Sequence, residues 1–223
     1  YPMLLADCKA RSENPVDSSG TASSERLVDK VVVEKFVTEV LLPQESPIVC
    51  GERLKIELLK LANLFVEYNS SDVEKFQKEL VKFCWGLLKT EDTSCKNWAF
   101  VVVCRLISTF ETPGKIVRRA YNSLLKCHQQ EGKELIRLAL DLLVPALPKR
   151  LEESDLQRIV ELTSQMMLED GISVPQLAHV CRVLVGSPGV FDACRNRVSP
   201  AMVNSLQRLG LPASGPLENR ALT

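Results

Sequence analysis

Aromatic residues make up only 5% of this chain, and histidine occurs twice, at His128 and His179. With so few rings the core has to be aliphatic, and few side chains can exchange protons near neutral pH. Net charge is lacking as well, because Lys+Arg and Asp+Glu both total 28. A protein that neutralises many phosphates carries a basic excess, so the balance argues against nucleic acid as an obligatory ligand. No run of about 18 apolar residues occurs, so no membrane-spanning helix is expected, and the start shows no leader pattern. The eight cysteines contain no Cys-x-x-Cys pair. A disulfide framework belongs to short, loop-rich secreted chains, so buried free thiols in a reducing compartment are expected instead.

The usual marks of catalysis are missing too. No HExxH, GxSxG, GxxxxGK[ST] or GxGxxG motif is present. Cys127 and His128 are neighbours, and neighbours on a helix point apart, so nucleophile and base would not meet. His179 and Cys181 fail on the same ground. "GSPG" at 186–189 is too short to cradle a phosphate, and no Cys/His set has zinc spacing. Glu131, Glu134 and Asp141 read as solvated charges. The expectation is therefore no catalytic residue, no cofactor and no metal.

What the chain does have is helical periodicity. Residues 1–24 are polar and serine-rich, a linker by composition, and 25–49 hold a flanking helix and a break at "LLPQESP". Helices are expected at 25–42, 52–68, 71–89, 93–110, after Thr112-Pro113 to 127, 131–144, 154–169, 173–185, 190–196 and 199–209. In the second, Leu54, Leu58, Leu61, Ala62 and Phe65 recur at helical spacing. Ser71 with Glu74 suggests a capping box, and Thr112 an N-cap before proline at the first helical position. Gly171 fits a left-handed cap, and Gly210 with Pro212 fits a stop. Every second helix starts near 52, 93, 132 and 174. That interval of about 40 residues is the HEAT/armadillo period. An all-α solenoid of about four to five antiparallel HEAT-type pairs is expected over 50–223.

"LALDLLVPALPKRL" (138–151) belongs to this pattern. Pro145 is expected to end the helix and turn the chain, with Ala146 and Leu147 still feeding the seam. Lys115, Arg118, Arg119, Lys126, Lys133 and Arg137 form a candidate basic interaction strip across two neighbouring helices. The start at Tyr1 and the ending "LENRALT", which reads as the first turn of a helix, lead us to expect a piece of a longer protein.

Specific strings then carry a resemblance. "LVKFCWGLLKTEDTSCKNWAFVVVCRLISTFETPGKIV" (80–117), "LALDLLVPALPKRL", "VPQLAHVCRVLV" (174–185), "MVNSLQRLGLP" (202–212) and "ENR" (218–220) occur in one order. Together they resemble a central segment of the TRRAP (transformation/transcription domain-associated protein) family, closest to its plant or algal type. The resemblance covers about 50–223. It implies a giant nuclear protein related to the phosphatidylinositol-3-kinase-like kinases, with a long HEAT solenoid and a kinase-like domain lacking catalytic residues. It implies a transcription coactivator role in SAGA-type and NuA4-type histone acetyltransferase complexes. The implied partners are other subunits of those complexes, transcription activators and the rest of its own solenoid. The alternatives are the HEAT region of an active kinase of the same superfamily and a karyopherin-like carrier.

Overall fold

The computed structural model describes residues 28–42, 51–127, 131–169, 172–192 and 195–210. The expected linker at 1–24, His128, Gly171 and Pro212 lie outside them. The described residues are helical and contain no strand, and the chain divides into two units, 1–110 and 111–223.

In the first unit, α1 (Lys30–Lys35) opens where the Asp29 carboxylate accepts the Lys30 N–H at 2.6 Å. It continues as a π-helical turn, Phe36–Leu41. The helix expected from 25 is thus traced only from Lys30, and its second half is wound more loosely. α2 (Glu52–Tyr68) has the expected limits but not the expected core face. Leu54 is 49% exposed, while Leu59, Ala62, Asn63, Leu64, Phe65 and Val66 are buried. Its second half is covered on several sides, including by Phe36, whose ring meets Phe65 edge-on at 5.1 Å. Leu54 lies in the first turn, away from that cover.

The capping box does not form. α3 (Ser70–Val73) begins directly after Asn69, which leaves Ser71 inside the helix rather than before it. A 3₁₀ turn (Glu74–Phe76) then leads into α4 (Gln77–Leu87), so the single helix expected at 71–89 is three short pieces sharing one apolar face. Val73, Leu80, Val81 and Cys84 are the buried residues of that face.

α5 (Thr93–Thr109) is capped by Asp92, which accepts the Ser94 and Cys95 N–H groups at 3.0 and 3.1 Å. The helix starts at Thr93 as expected, with its cap one residue before. Ala99 to Cys104 are buried without interruption, because α2 and α4 both cover this helix. The Cys95 thiol lies 3.7 Å from the Glu52 carbonyl, so the starts of α2 and α5 are adjacent. At the other end, Arg105 meets Glu67 at 3.0 Å and Asn63 at 3.3 Å. The two helices therefore run parallel, joined by contacts 42 and 43 residues apart in sequence. α4 reaches α5 through the short link Leu88–Asp92 while packing along it, which makes that pair antiparallel.

The second unit repeats the scheme with α6 (Gly114–Lys126), α7 (Lys133–Leu143), α8 (Leu147–Arg150), α9 (Glu153–Leu168), α10 (Val174–Gly186), α11 (Pro188–Phe191) and α12 (Arg195–Gly210). Pro113 precedes the first helical residue of α6 instead of being it, and Thr112 is therefore not the cap. Gly114 takes that place because α9 comes close. A Cβ there would stand 3.0 Å from an Asp155 carboxylate oxygen and 3.2 Å from Leu151. α6, α9 and α12 run parallel. Arg118 meets Asp155 near the starts of α6 and α9, the Tyr121 and Thr163 hydroxyls meet at 2.9 Å, and the Ser205 hydroxyl donates to the Met167 carbonyl.

The double-proline segment bends the chain more gently than expected. Val144–Ala146 tightens into a 3₁₀ turn and Leu147–Arg150 resumes α-helix, each accepting proline near its start, where no N–H is needed. The chain leaves helical conformation only at Leu151, with φ −121° and ψ 143°. Ala146 and Leu147 are buried as expected, and Pro145 and Pro148 face solvent. α9 starts at Glu153, and Ser173 caps α10 by accepting the Gln176 N–H at 3.3 Å. The short helix expected at 190–196 lies earlier, with Pro188 in its first turn. α12 starts at Arg195 and carries Pro200 within it, where the lost hydrogen bond falls near the helix start.

Three expectations follow. The Thr163 hydroxyl donates to the Ile159 carbonyl at 2.7 Å, so its one proton is committed and the buried Tyr121 hydroxyl must be the donor to it. Tyr121→Phe should cost about 0.5–1.5 kcal/mol, whereas Thr163→Val strands a buried donor and should cost more, about 1–3 kcal/mol. Urea unfolding of the two variants checks the order. Burial pushes the Cys84 and Cys95 thiols up to about 12 and Cys104 higher still. The folded state thus holds these protons longer than the unfolded chain. The stability they contribute is complete below the unfolded thiol range and falls as pH rises from about 9 towards 12. Among the described cysteines, a thiol reagent at pH 8 should modify the half-buried Cys127 and Cys181 first and leave the buried Cys84, Cys95 and Cys104 until unfolding.

Candidate interaction surface

Among the described residues no group of His, Cys, Asp or Glu could hold a metal ion. His179 has a structural partner. Its Nε2 lies 3.1 Å from the Leu124 carbonyl, near the C-terminal end of α6, so that nitrogen carries the proton and donates it there. The bond fastens α10 to α6, a structural task. Functional reading therefore rests on surfaces.

The six expected cations fall on two helices with different neighbours. Lys115, Arg119 and Lys126 are exposed on α6, and Arg118 is half-buried there. Arg118 turns towards α9, where Nη1 lies 3.4 Å from an Asp155 oxygen that Arg158 also approaches at 3.2 Å. Positive charge at that end of α6 is thus partly met by acid. Lys133 and Arg137 project from α7 towards α10 instead. Arg137 Nε is 3.9 Å from Asp141 one turn on, a loose and exposed pair worth little in water. The structure joins Lys133 and Arg137 in one place, and brings Arg182 of α10 to them. Sequence reasoning passed over Arg182, although it is the lone formal charge in the otherwise uncharged stretch "VPQLAHVCRVLVG" (174–186).

These three cations rim a cleft of about 270 Å³ between α7 and α10. Ile136, Leu140, Val144 and Val183 are buried residues of its floor and sides. Pro175 and Ala178 line the α10 side, and such short side chains leave the space beside α7 unfilled. The helix pair at the equivalent interval in the first unit, α2 and α5, is packed closely. The cleft is therefore a local departure from the repeat. It pairs a mainly aliphatic interior with a cationic edge, and Cys127 and His179 also line it.

Comparison with known proteins agrees with the architecture. The Tra1 HEAT repeat ring region, as a family, matches residues 1–223. A transcription-associated protein 1 of Dictyostelium discoideum is 35% identical over 84% of this chain and 4% of its own length. The human transformation/transcription domain-associated protein is 31% identical over 86% of this chain and 5% of its own length. The SAGA complex/NuA4 acetyltransferase complex subunit TRA1 of Saccharomyces cerevisiae is 24% identical over 75% of this chain and 4% of its own length. No solved structure matches. The chain thus spans only about one twentieth of the length of these relatives. With helix pairs repeating near 40 residues and a family match along the whole sequence, the chain belongs to the Tra1/TRRAP family, in its HEAT repeat ring region.

Proposed function

We propose that this chain is a non-catalytic scaffold segment of a nuclear transcription coactivator subunit, one that works within histone acetyltransferase complexes of the SAGA and NuA4 type. The observation that carries this reading is the family match along all 223 residues, shared with relatives named as subunits of those complexes. A helical-repeat surface suits such work, because stacked pairs present long faces while their cores need only aliphatic side chains. Its contacts are with other subunits, with transcription activators and with neighbouring repeats of the same protein. The parent chain's kinase-like domain, as the family resemblance implies, performs no phosphoryl transfer. The α6 cations Lys115, Arg118, Arg119 and Lys126 offer a further contact for an acidic protein surface.

Affinity purification of the tagged full-length protein tests this directly. Acetyltransferase activity on histones and the other complex subunits should co-purify with it. Recovery of the protein with nuclear transport factors, or with robust protein kinase activity of its own, contradicts the reading. Reversing Arg118 and Arg119 to Glu should reduce recovery of at least one subunit and make the loss salt-dependent. Unchanged recovery, with DNA affinity also unchanged, removes the α6 strip from the account.

A further inference from the structure

We infer that the cleft between α7 and α10 is a docking groove for an acidic amphipathic helix of a protein partner, taken aliphatic side inward. This rests on the reading of the segment as a protein-binding scaffold and assigns it a place and a chemistry. Three observations carry it. The charge is one-sided: Lys133, Arg137 and Arg182 rim the cleft against the single carboxylate of Asp141. That carboxylate is 69% exposed and 3.9 Å from Arg137, so an incoming acid can replace it without breaking a strong bond. The interior is apolar and matched in size to side chains. Ile136, Leu140 and Val183 are buried behind the cations, and an apolar cavity of about 150 Å³ already holds one benzene ring. The 270 Å³ here takes one or two bulky side chains.

The cleft also lies between two helices, the geometry in which a third helix lays its apolar stripe. The cationic ends stand in solvent at its edge, where they meet carboxylates on the flanks of that stripe. Nucleic acid fits less well. No Phe, Tyr or Trp lines the cleft for base stacking, and the chain carries no excess of positive charge to follow a phosphate backbone.

The test uses the purified full-length protein and three fluorescent peptides carrying a photo-crosslinker. One is a short helix with leucines along one face and Asp and Glu beside them. The second replaces its acids by lysine, and the third replaces its leucines by alanine. The first should crosslink to α7 and α10 and bind at least about tenfold more tightly than either control. Arg137→Glu with Arg182→Glu should weaken it by about tenfold or more. Ala178→Trp, which fills the cleft and leaves the charges in place, should block it as well. Circular dichroism and co-purification of the complex confirm that each variant is folded. Crosslinks elsewhere, or equal binding by both variants, overturn the groove while the scaffold reading stands. Preferential capture of dodecanoate or of single-stranded DNA at α7 and α10 overturns the peptide as occupant. Loss of complex assembly from the unmutated protein defeats the underlying reading instead.

Discussion

A helix with a broad aliphatic face cannot bury that face alone, and in this chain the cover comes from helices about one repeat away as well as from the next in line. α5 shows the constraint most fully. Its run from Ala99 to Cys104 is buried all round because α4 covers one side and α2 another. Burying one such side chain contributes about 1.5–3 kcal/mol, so a helix with ten buried positions depends on neighbours far more than on its own backbone. Polar links then set the register. Glu52 with Cys95, Asn63 with Arg105, Tyr121 with Thr163 and Met167 with Ser205 are separated by 43, 42, 42 and 38 residues. A period visible as spacing of helix starts is thus also the spacing of physical contacts.

That origin explains which parts of the fold could be read from the sequence. Helix number and period depend on the recurrence of Leu and Val, which is local and repeated. α2 and α10 therefore emerged with nearly the expected limits. Boundaries failed where two local signals competed and a neighbour decided. Ser71 and Glu74 make a plausible cap, yet Asn69 follows α2 so closely that helix had already resumed at Ser70. Thr112-Pro113 looked like a helix start, but the approach of Asp155 and Leu151 favours Gly114 there. Pro145 was expected to end the helix and turn the chain, and instead Pro145 and Pro148 each open a fresh short helical piece. Proline forbids a hydrogen bond to the preceding turn, not the helical φ angle. Leu54 shows the remaining limit, since a periodic leucine is buried only where a neighbour reaches it.

The candidate surface was legible in the same uneven way. Cations on α6 and α7 can be found by eye, but two helices adjacent in sequence do not share one exposed face. Arg118 turns to α9, whereas Lys133 and Arg137 turn to α10. Arg182 was overlooked because a single charge in an apolar helix carries no pattern. Only the fold brings it opposite α7. The cleft itself arises from residues too short to fill it, Pro175 and Ala178, and a shortage of volume leaves no motif. Stacked helical repeats offer extended surfaces for binding, and this cleft interrupts one such surface locally.

Zero-length carboxyl–amine crosslinking of the folded protein, with the linked pairs identified by mass spectrometry, tests the shared register most directly. Besides short links within helices, as for Glu57 with Lys60, and links between antiparallel neighbours, the account predicts a distinct population near 40 residues, as for Glu34 with Lys75 at 41. Long-range links scattered over all separations, with none near that interval, would contradict it.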